Sequence, residues 1–295
     1  MGLLNAQIKW INSARTHNKY PLIVDQMVAK NIASILEGPN KRDVVNLTAG
    51  LCLIEQNLSK PPVALFEQSN LLDIFQNFKS LKGERQDYLE PSCNKSFENL
   101  NLSENTAIFA TVNDKLFSLA VTLWTHLMFN HQSFWKNHPL PLYVLCTSPK
   151  FRITAATTST LQYQRISVLA QTFTDLSITS KLPLGTVLPR PTEFILFQMV
   201  PKPCPLVSNF HLYNNFLKQV FSAKATTLET SLIRTAPNAN VDFRNSSIYR
   251  YKNEAGQELR NLRVDAITAN EYQMIFNEWC NWSCAKNGLL RNFKQ

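Results

Sequence analysis

Residues 44–52 combine a short apolar run with a polar segment, in the layout of a strand that leads into a nucleotide-binding loop. Such a loop needs several glycines, because the backbone must turn tightly and approach its ligand without Cβ atoms in the way. Here only Gly50 is present, and the whole chain has 7 glycines in 295 residues. We therefore predict a nucleotide-binding layout that has lost its phosphate cradle, with no second glycine-rich segment to replace it.

The charge of the chain favours a polyanionic partner. Lys and Arg exceed Asp and Glu by 30 to 21, which gives a net charge of +9 and a pI near 9.3. A merely basic ribosome-associated or matrix protein is the alternative. No apolar run approaches the roughly 20 residues of a membrane-spanning helix, so we expect no membrane insertion. The first 24 residues are basic and free of acids, which is typical of a mitochondrial import signal or of an ordinary N-terminal helix.

The cysteine and histidine pattern predicts no metal site. The six cysteines form no CxxC pair, and no histidine stands at zinc-ligand spacing from any of them. Free thiols favour a reducing compartment.

Alternating helices and strands predict an α/β fold. Asp25 is a candidate N-cap for a helix that stops at Gly38, and Asp114 is a candidate N-cap for a second helix. Thr268-Ala269-Asn270-Glu271 is a capping box that predicts the start of a later helix. Apolar runs at 44–47, 63–67, 107–110 and 142–146 predict strands of a parallel, doubly wound, Rossmann-like sheet. A further strand at 193–200 is followed by the proline-rich segment 201–205. We predict a sheet domain over 1–200 and a smaller helical domain over 201–295 with a short basic tail.

Four segments, in the right order, resemble the ribosomal RNA adenine dimethyltransferase family. They are residues 18–25, 165–171, 182–191 and 221–228, of which Arg-Ile-Ser-Val-Leu-Ala-Gln at 165–171 is the most specific. The resemblance covers nearly the whole chain. It implies the fold of an S-adenosylmethionine methyltransferase.

The same resemblance implies that the cofactor site is damaged. The family's acidic residue and Gly-x-Gly loop correspond here to Asn46 and to Gly50-Leu51-Cys52. Glu67 matches the acid that binds the ribose hydroxyls, with a solvated strand end as the alternative. Together with Thr111, these positions form a vestigial cofactor site. We expect that no cofactor is required, although residual S-adenosylmethionine binding stays open.

The family's adenine-binding loop, Asn-Leu-Pro-Tyr/Phe, corresponds to Thr111-Val112-Asn113-Asp114, which lacks the proline and the aromatic ring. A flipped adenine would have no stacking partner. We assign no catalytic residue, and a cap or turn role is the alternative for Asn113 and Asp114.

With these losses, the chain resembles the mitochondrial transcription factor B family, especially its fungal branch. This implies a matrix protein that joins mitochondrial RNA polymerase, assists promoter recognition and melting, and captures the displaced DNA strand. The alternatives are an active dimethyltransferase of mitochondrial small-subunit rRNA, and a ribosome-assembly protein that binds rRNA.

Candidate nucleic-acid contacts are cations that can bind phosphates and tyrosines that can stack on bases. They are Lys150, Arg152, Arg165, Lys218, Lys224, Arg234, Arg244, Tyr249, Arg250, Tyr251 and Arg263. A solvated surface charge or local packing is the alternative for each.

Overall fold

The structure, a computed structural model, describes residues 21–48, 53–65, 100–188, 192–203, 205–235, 239–242, 246–253 and 255–281. The strands are β1 Leu22–Ile23, β2 Asp43–Asn46, β3 Ala64–Leu65, β4 Thr106–Thr111, β5 Leu142–Thr147, β6 Thr174–Leu182, β7 Val187–Leu188 and β8 Phe194–Pro201. The helices are α1 Gln26–Glu37, α2 Phe117–Phe129, α3 Ser148–Thr154, α4 Arg165–Phe173, α5 Phe210–Val220, α6 Leu228–Leu232, α7 Ala239–Asp242 and α8 Ala269–Asn281.

Six of these strands form one sheet in the order β3-β2-β4-β5-β8-β6. Strands β3, β2, β4 and β5 are parallel, as predicted, whereas β8 runs antiparallel to both β5 and β6. The sequence did not indicate β6, because this edge strand is largely exposed and polar. β6 and β8 pair antiparallel because only the segment between residues 182 and 194 connects them, which is too short for a parallel crossover.

Helix α1 forms as the sequence predicts. Its N-cap is Asp25, whose Oδ1 accepts a hydrogen bond from Val28 N at 2.9 Å. The inward side of the helix buries Ile32 and Leu36 completely against the sheet. Gly38 ends the helix with a φ of 56°, a left-handed conformation that favours glycine.

The predicted cap of helix α2 was wrong. The helix begins at Phe117, and Asp114 instead accepts a hydrogen bond from the Thr147 hydroxyl. Asn113 Oδ1 accepts the bond from Leu116 N, so it is the residue that stabilises the turn entering the helix. The side chain of Phe117, the first residue of the helix, is buried.

The chain divides into two compact units. The first consists of Met1–Phe151 and Thr174–Pro201, and the second of Arg152–Phe173 and Lys202–Gln295. The sequence prediction placed one boundary, after residue 200. In the structure the second unit contains Arg152–Phe173 as well as the residues from Lys202 onward.

The second unit has an aromatic core. Phe276 stacks with Trp279 at a ring-centroid distance of 6.0 Å and contacts Tyr213 and Phe216 at 5.1 and 5.6 Å. Helix α8 starts with the predicted capping box, in which Thr268 N donates to Glu271 Oε2 at 2.8 Å and Glu271 N donates to Thr268 Oγ1 at 3.2 Å. These contacts give the helical segments a common core.

Candidate functional site

The carboxyl ends of β2 and β4 carry a buried chain of hydrogen bonds. Asn46, the last residue of β2, donates from Nδ2 to Glu55 Oε1, and its Oδ1 accepts from Thr48 N at 2.8 Å. The Thr48 hydroxyl in turn accepts from Thr111 N at 2.8 Å. Asn46 is 0% exposed. Both polar atoms of the Asn46 amide are therefore bonded within the protein.

Sequence reasoning missed Thr48 and Glu55. Glu55 begins a short 3-10 turn and is only 7% exposed, nine residues beyond its partner Asn46. A buried carboxylate is unusual unless it is paired or hydrogen-bonded. The one signal in the sequence was an acidic residue, Glu55, that follows the amide of Asn46 within a short stretch of chain. That signal identifies no contact without the fold.

The described residues do not fit S-adenosylmethionine in the manner that the resemblance implies. Position 46 offers an amide in place of a carboxylate, and that amide is engaged by Glu55 and Thr48. Gly50, Leu51, Cys52 and Glu67 lie outside the described residues. Thr111 is buried, and its backbone N–H serves the strand-end network. We derive no chemical step through the cofactor.

The loop at the end of β4 is held by structural hydrogen bonds. Asn113 Oδ1 accepts from Leu116 N at 3.0 Å, and Asp114 Oδ1 accepts from Thr147 Oγ1 at 2.7 Å. Thr147 is the last residue of β5, so Asp114 ties the loop to the neighbouring strand. Near this tie, burial raises the pKa of the Cys146 thiol, and the Asp114 carboxylate raises it further. This thiol is therefore neutral at physiological pH.

Three predicted cations lie close along the chain in the second unit. Lys218 is exposed in the last turn of α5. Lys224 donates from Nζ to the carbonyl oxygen of Leu161 at 2.9 Å, and exposed Arg234 approaches the Ser222 hydroxyl at 3.4 Å. We call Lys218, Lys224 and Arg234, which are close in sequence, the α5–α6 cation group.

Two other predicted arginines have structural partners. Arg165 is half-buried and hydrogen-bonded to Asn214 Oδ1, and burial lowers the pKa of its guanidinium. Arg263 donates two hydrogen bonds to Asp265, at 3.1 and 2.9 Å, while its side chain stays 60% exposed. Arg263 can therefore contact a phosphate with its outer face, whereas Arg165 is less accessible.

The remaining candidates are dispersed. Lys150 is partly buried on α3 in the first unit, and Arg152 is exposed on the same helix but belongs to the second unit. Arg250 and Tyr251 are exposed, with 43% of Tyr251 accessible. Arg244 and the side chain of Tyr249 lie outside the described residues.

Among the described residues, no group of three or more His, Cys, Asp or Glu side chains is arranged to bind a metal ion. The same residues include no helix with the length and apolar character required to cross a membrane.

A model of the ribosomal RNA adenine dimethylase family matches residues 11–268 of this sequence. The chain belongs to this family. One curated relative is the probable ribosomal RNA small subunit methyltransferase A of Methanosarcina acetivorans, which is 27% identical to this chain over 117 residues. That match spans 39% of this chain and 42% of the relative.

Solved structures of two methyltransferases share the fold. A dimethyladenosine transferase from Plasmodium falciparum superposes with a TM-score of 0.62 at 13% identity, over 88% of this chain and 98% of that one. The 23S rRNA methyltransferase ErmE superposes with a TM-score of 0.54 at 12% identity, over 87% and 98%. The predicted methyltransferase fold and family are thus confirmed. Membership of the transcription factor B branch stays a prediction.

Proposed function

We propose that this chain is a nucleic-acid-binding member of the ribosomal RNA adenine dimethylase family that does not dimethylate adenine. The observation that carries this proposal is the use of the loop after β4. Asn113 Oδ1 binds Leu116 N, and Asp114 binds the Thr147 hydroxyl. The resemblance implies that a family enzyme uses an asparagine oxygen and an aromatic ring at this loop to hold the base. Here Thr111 and Asp114 stand where the family has its asparagine and its aromatic ring, and the amide oxygen of Asn113, two positions later than the family's asparagine, already accepts a backbone hydrogen bond.

The strand-end network supports the same conclusion for the cofactor. Asn46 Nδ2 donates a hydrogen bond to Glu55 Oε1 in the first unit, and both residues are buried. A buried polar pair of this kind stabilises the fold only while its partners stay matched. Because Asn46 is 0% exposed, a cofactor could reach its amide only after this buried pair had rearranged.

Nucleic-acid binding is supported by the net charge of +9 and by the exposed cations of the second unit. Lys218 and Arg234 are exposed, and the Arg263 side chain is 60% accessible despite its bond to Asp265. Cations of this kind contact phosphates without reading sequence, and each contact releases condensed counterions. We expect binding that weakens steeply with salt.

Within this proposal, the specific role is in mitochondrial transcription initiation. The partner would be mitochondrial RNA polymerase in the matrix, and the ligand would be promoter DNA melted into single strands. What supports this role is the resemblance to the transcription factor B family together with the loss of the adenine-binding ring. A cationic surface with stacking side chains suits a single strand, whatever its sequence.

The second candidate is dimethylation of small-subunit rRNA. The family match and the named activity of the Methanosarcina acetivorans relative favour it over the transcription role. It requires bound S-adenosylmethionine and an adenine held at the 111–114 loop.

One pair of assays separates the two candidates. The purified protein is added to its cognate mitochondrial RNA polymerase on a linear promoter, and separately to unmethylated small-subunit rRNA with S-adenosylmethionine. The proposal predicts promoter-dependent initiation and no dimethyladenosine. Dimethyladenosine without any effect on initiation would establish the enzyme instead. A variant with Lys218, Lys224 and Arg234 all changed to Gln should lose binding to either nucleic acid, whereas Lys30→Gln, an exposed change on α1, should not.

A further inference from the structure

The loop between α3 and α4, residues 155–164 of the second unit, presents an exposed apolar side chain. Leu161 in this loop is 91% exposed, the highest value among the large apolar residues that the structure describes, where Leu184 follows at 69%. Apolar surface is favourable to bury, and an aliphatic side chain of this size normally buries part of it in the fold. Leu161 therefore has nearly its whole side chain available to a ligand.

Hydrogen bonds on both sides of Leu161 fix the backbone of the loop. Ser159 N donates to the carbonyl oxygen of Asp265 at 2.7 Å. Tyr163 is buried, and its hydroxyl donates to the carbonyl oxygen of Ile267 at 2.8 Å. A side chain presented on a fixed backbone loses less conformational freedom on binding than one on a flexible loop.

Two cations are attached to the same loop. Lys224 Nζ donates to the carbonyl oxygen of Leu161 at 2.9 Å, which uses one of the three donors of the ammonium group. Arg263 is bonded to Asp265, whose backbone oxygen holds the loop, and the Arg263 side chain is 60% exposed. Residues 155–164 include no acidic residue. The loop thus has an ammonium group beside its exposed leucine and a guanidinium on the segment that anchors it.

A nucleic-acid strand matches this combination of an apolar tip and nearby cations. Its phosphates bind lysine and arginine whatever the sequence. Its bases have apolar faces, and aliphatic side chains such as leucine can insert between neighbouring bases and partly unstack them. Insertion is easiest where the bases are unpaired, since no base pair then has to be opened.

We propose that Leu161 inserts between two adjacent bases of a bound nucleic-acid strand, while Lys224 and Arg263 contact phosphates of the same strand. This inference rests on the proposed function and assigns to one residue the contact with the bases, which cations alone do not make. It also gives the chain a preference for strands with unpaired bases.

The test is fluorescence titration of the full chain with single-stranded DNA oligonucleotides that carry 2-aminopurine, whose fluorescence increases when it is unstacked, at successive positions. The wild type should increase the fluorescence at some of these positions. Leu161→Ala should remove most of this increase and weaken binding about tenfold. Leu206→Ala, at a leucine of the same unit that is 64% exposed, is the matched control and should behave as the wild type does.

The salt dependence separates the leucine from the cations. Leu161→Ala removes no charge, so the slope of log affinity against log salt should stay at the wild-type value, whereas Lys224→Gln should reduce it by about 0.7. Neither Leu161→Ala nor Leu206→Ala should lower the melting temperature, because both side chains are exposed.

The outcomes distinguish this inference from the proposed function. Wild-type affinity and fluorescence in Leu161→Ala would overturn the inference and leave nucleic-acid binding in place. An equal loss of affinity in Leu206→Ala would also overturn it, because the effect would then not belong to the loop. A wild-type chain that binds no oligonucleotide at low salt would overturn the proposed function itself, and this inference with it.

Discussion

Restoring an acid at position 46 should destabilise the protein instead of rebuilding a cofactor site. In Asn46→Asp the bond from Nδ2 to Glu55 Oε1 is replaced by two buried carboxylates in contact. Loss of a hydrogen bond to a charged group costs about 1.5–3 kcal/mol, and an unmatched buried charge about 3–5 kcal/mol. We expect a loss of about 3 kcal/mol at pH 8, or a fall in melting temperature of roughly 6–12 °C.

The effect should depend on pH in a defined direction. Two carboxylates in contact share a proton, so the folded variant holds a proton that the unfolded chain has released above about pH 4. The stability of the variant relative to the wild type should therefore be greatest at and below about pH 4 and should fall as the pH rises from there toward 8.

The swapped pair provides the control. In the double variant Asn46→Asp with Glu55→Gln, the amide of residue 55 can donate to the new carboxylate, which still accepts from Thr48 N. We expect it to recover about 2 kcal/mol, measured by urea unfolding as a double-mutant cycle. Wild-type stability of Asn46→Asp at pH 8, or micromolar binding of S-adenosylmethionine by it, would refute the reasoning.

Three further predictions follow from other buried and exposed groups. Tyr163→Phe should lower the free energy of unfolding, measured by urea, by about 1–2 kcal/mol, because its hydroxyl donates to buried Ile267 O at 2.8 Å. Tyr251→Phe, at an exposed position, is the control and should be neutral in the same measurement. Stability should fall as the pH rises above about 9. Burial raises the pKa of Cys146 and Tyr163 above their ordinary values of 9.0 and 10.0, so the unfolded chain releases these protons first. A flat unfolding midpoint from pH 8 to 11 would contradict this prediction. Lys218→Gln should reduce the salt slope of single-strand binding by about 0.7 without changing stability, as anisotropy titrations will show. Arg165→Gln should instead lower the melting temperature in a thermal melt, because its guanidinium is hydrogen-bonded to Asn214 within the second unit.

The sequence predicted the elements that have strong local signals. Asp25 and Gly38 bound α1 because a side-chain cap and a left-handed glycine act within one turn. The capping box at Thr268 and Glu271 is equally local. The apolar runs of β4 and β5 are buried along their whole length, so they could be recognised without the fold.

Features that depend on contacts distant in sequence could not be predicted. The Asp114 bond to Thr147 joins residues 33 positions apart, and it replaces the cap that the local pattern indicated. The sequence indicated Arg165 as a candidate nucleic-acid contact, whereas in the structure it is hydrogen-bonded to Asn214, which is 49 positions away. Segment Arg152–Phe173 belongs to the second unit although it lies between strands of the first.

A cofactor role for Asn46 and Thr111 stays a prediction, and the structure adds the hydrogen-bond partners that the sequence did not indicate. Asn46 and Thr111 lie at adjacent strand ends, and Thr48 connects them through two hydrogen bonds. Glu55 was not indicated, because the sequence between it and Asn46 carries no pattern that pairs the two residues. The resemblance indicates that Asn46 replaces the family's acidic residue. The structure shows that the Asn46 amide is hydrogen-bonded to Glu55 and Thr48.

The most direct test of the account is methyl transfer to RNA. Unmethylated small-subunit rRNA is incubated with the full chain and S-adenosylmethionine, digested to nucleosides and analysed by mass spectrometry, with the Plasmodium falciparum dimethyladenosine transferase as a positive control. We predict that the chain binds the RNA in a salt-dependent manner and produces no dimethyladenosine above the no-protein level. Dimethyladenosine that accumulates with time and protein concentration would contradict the central claim.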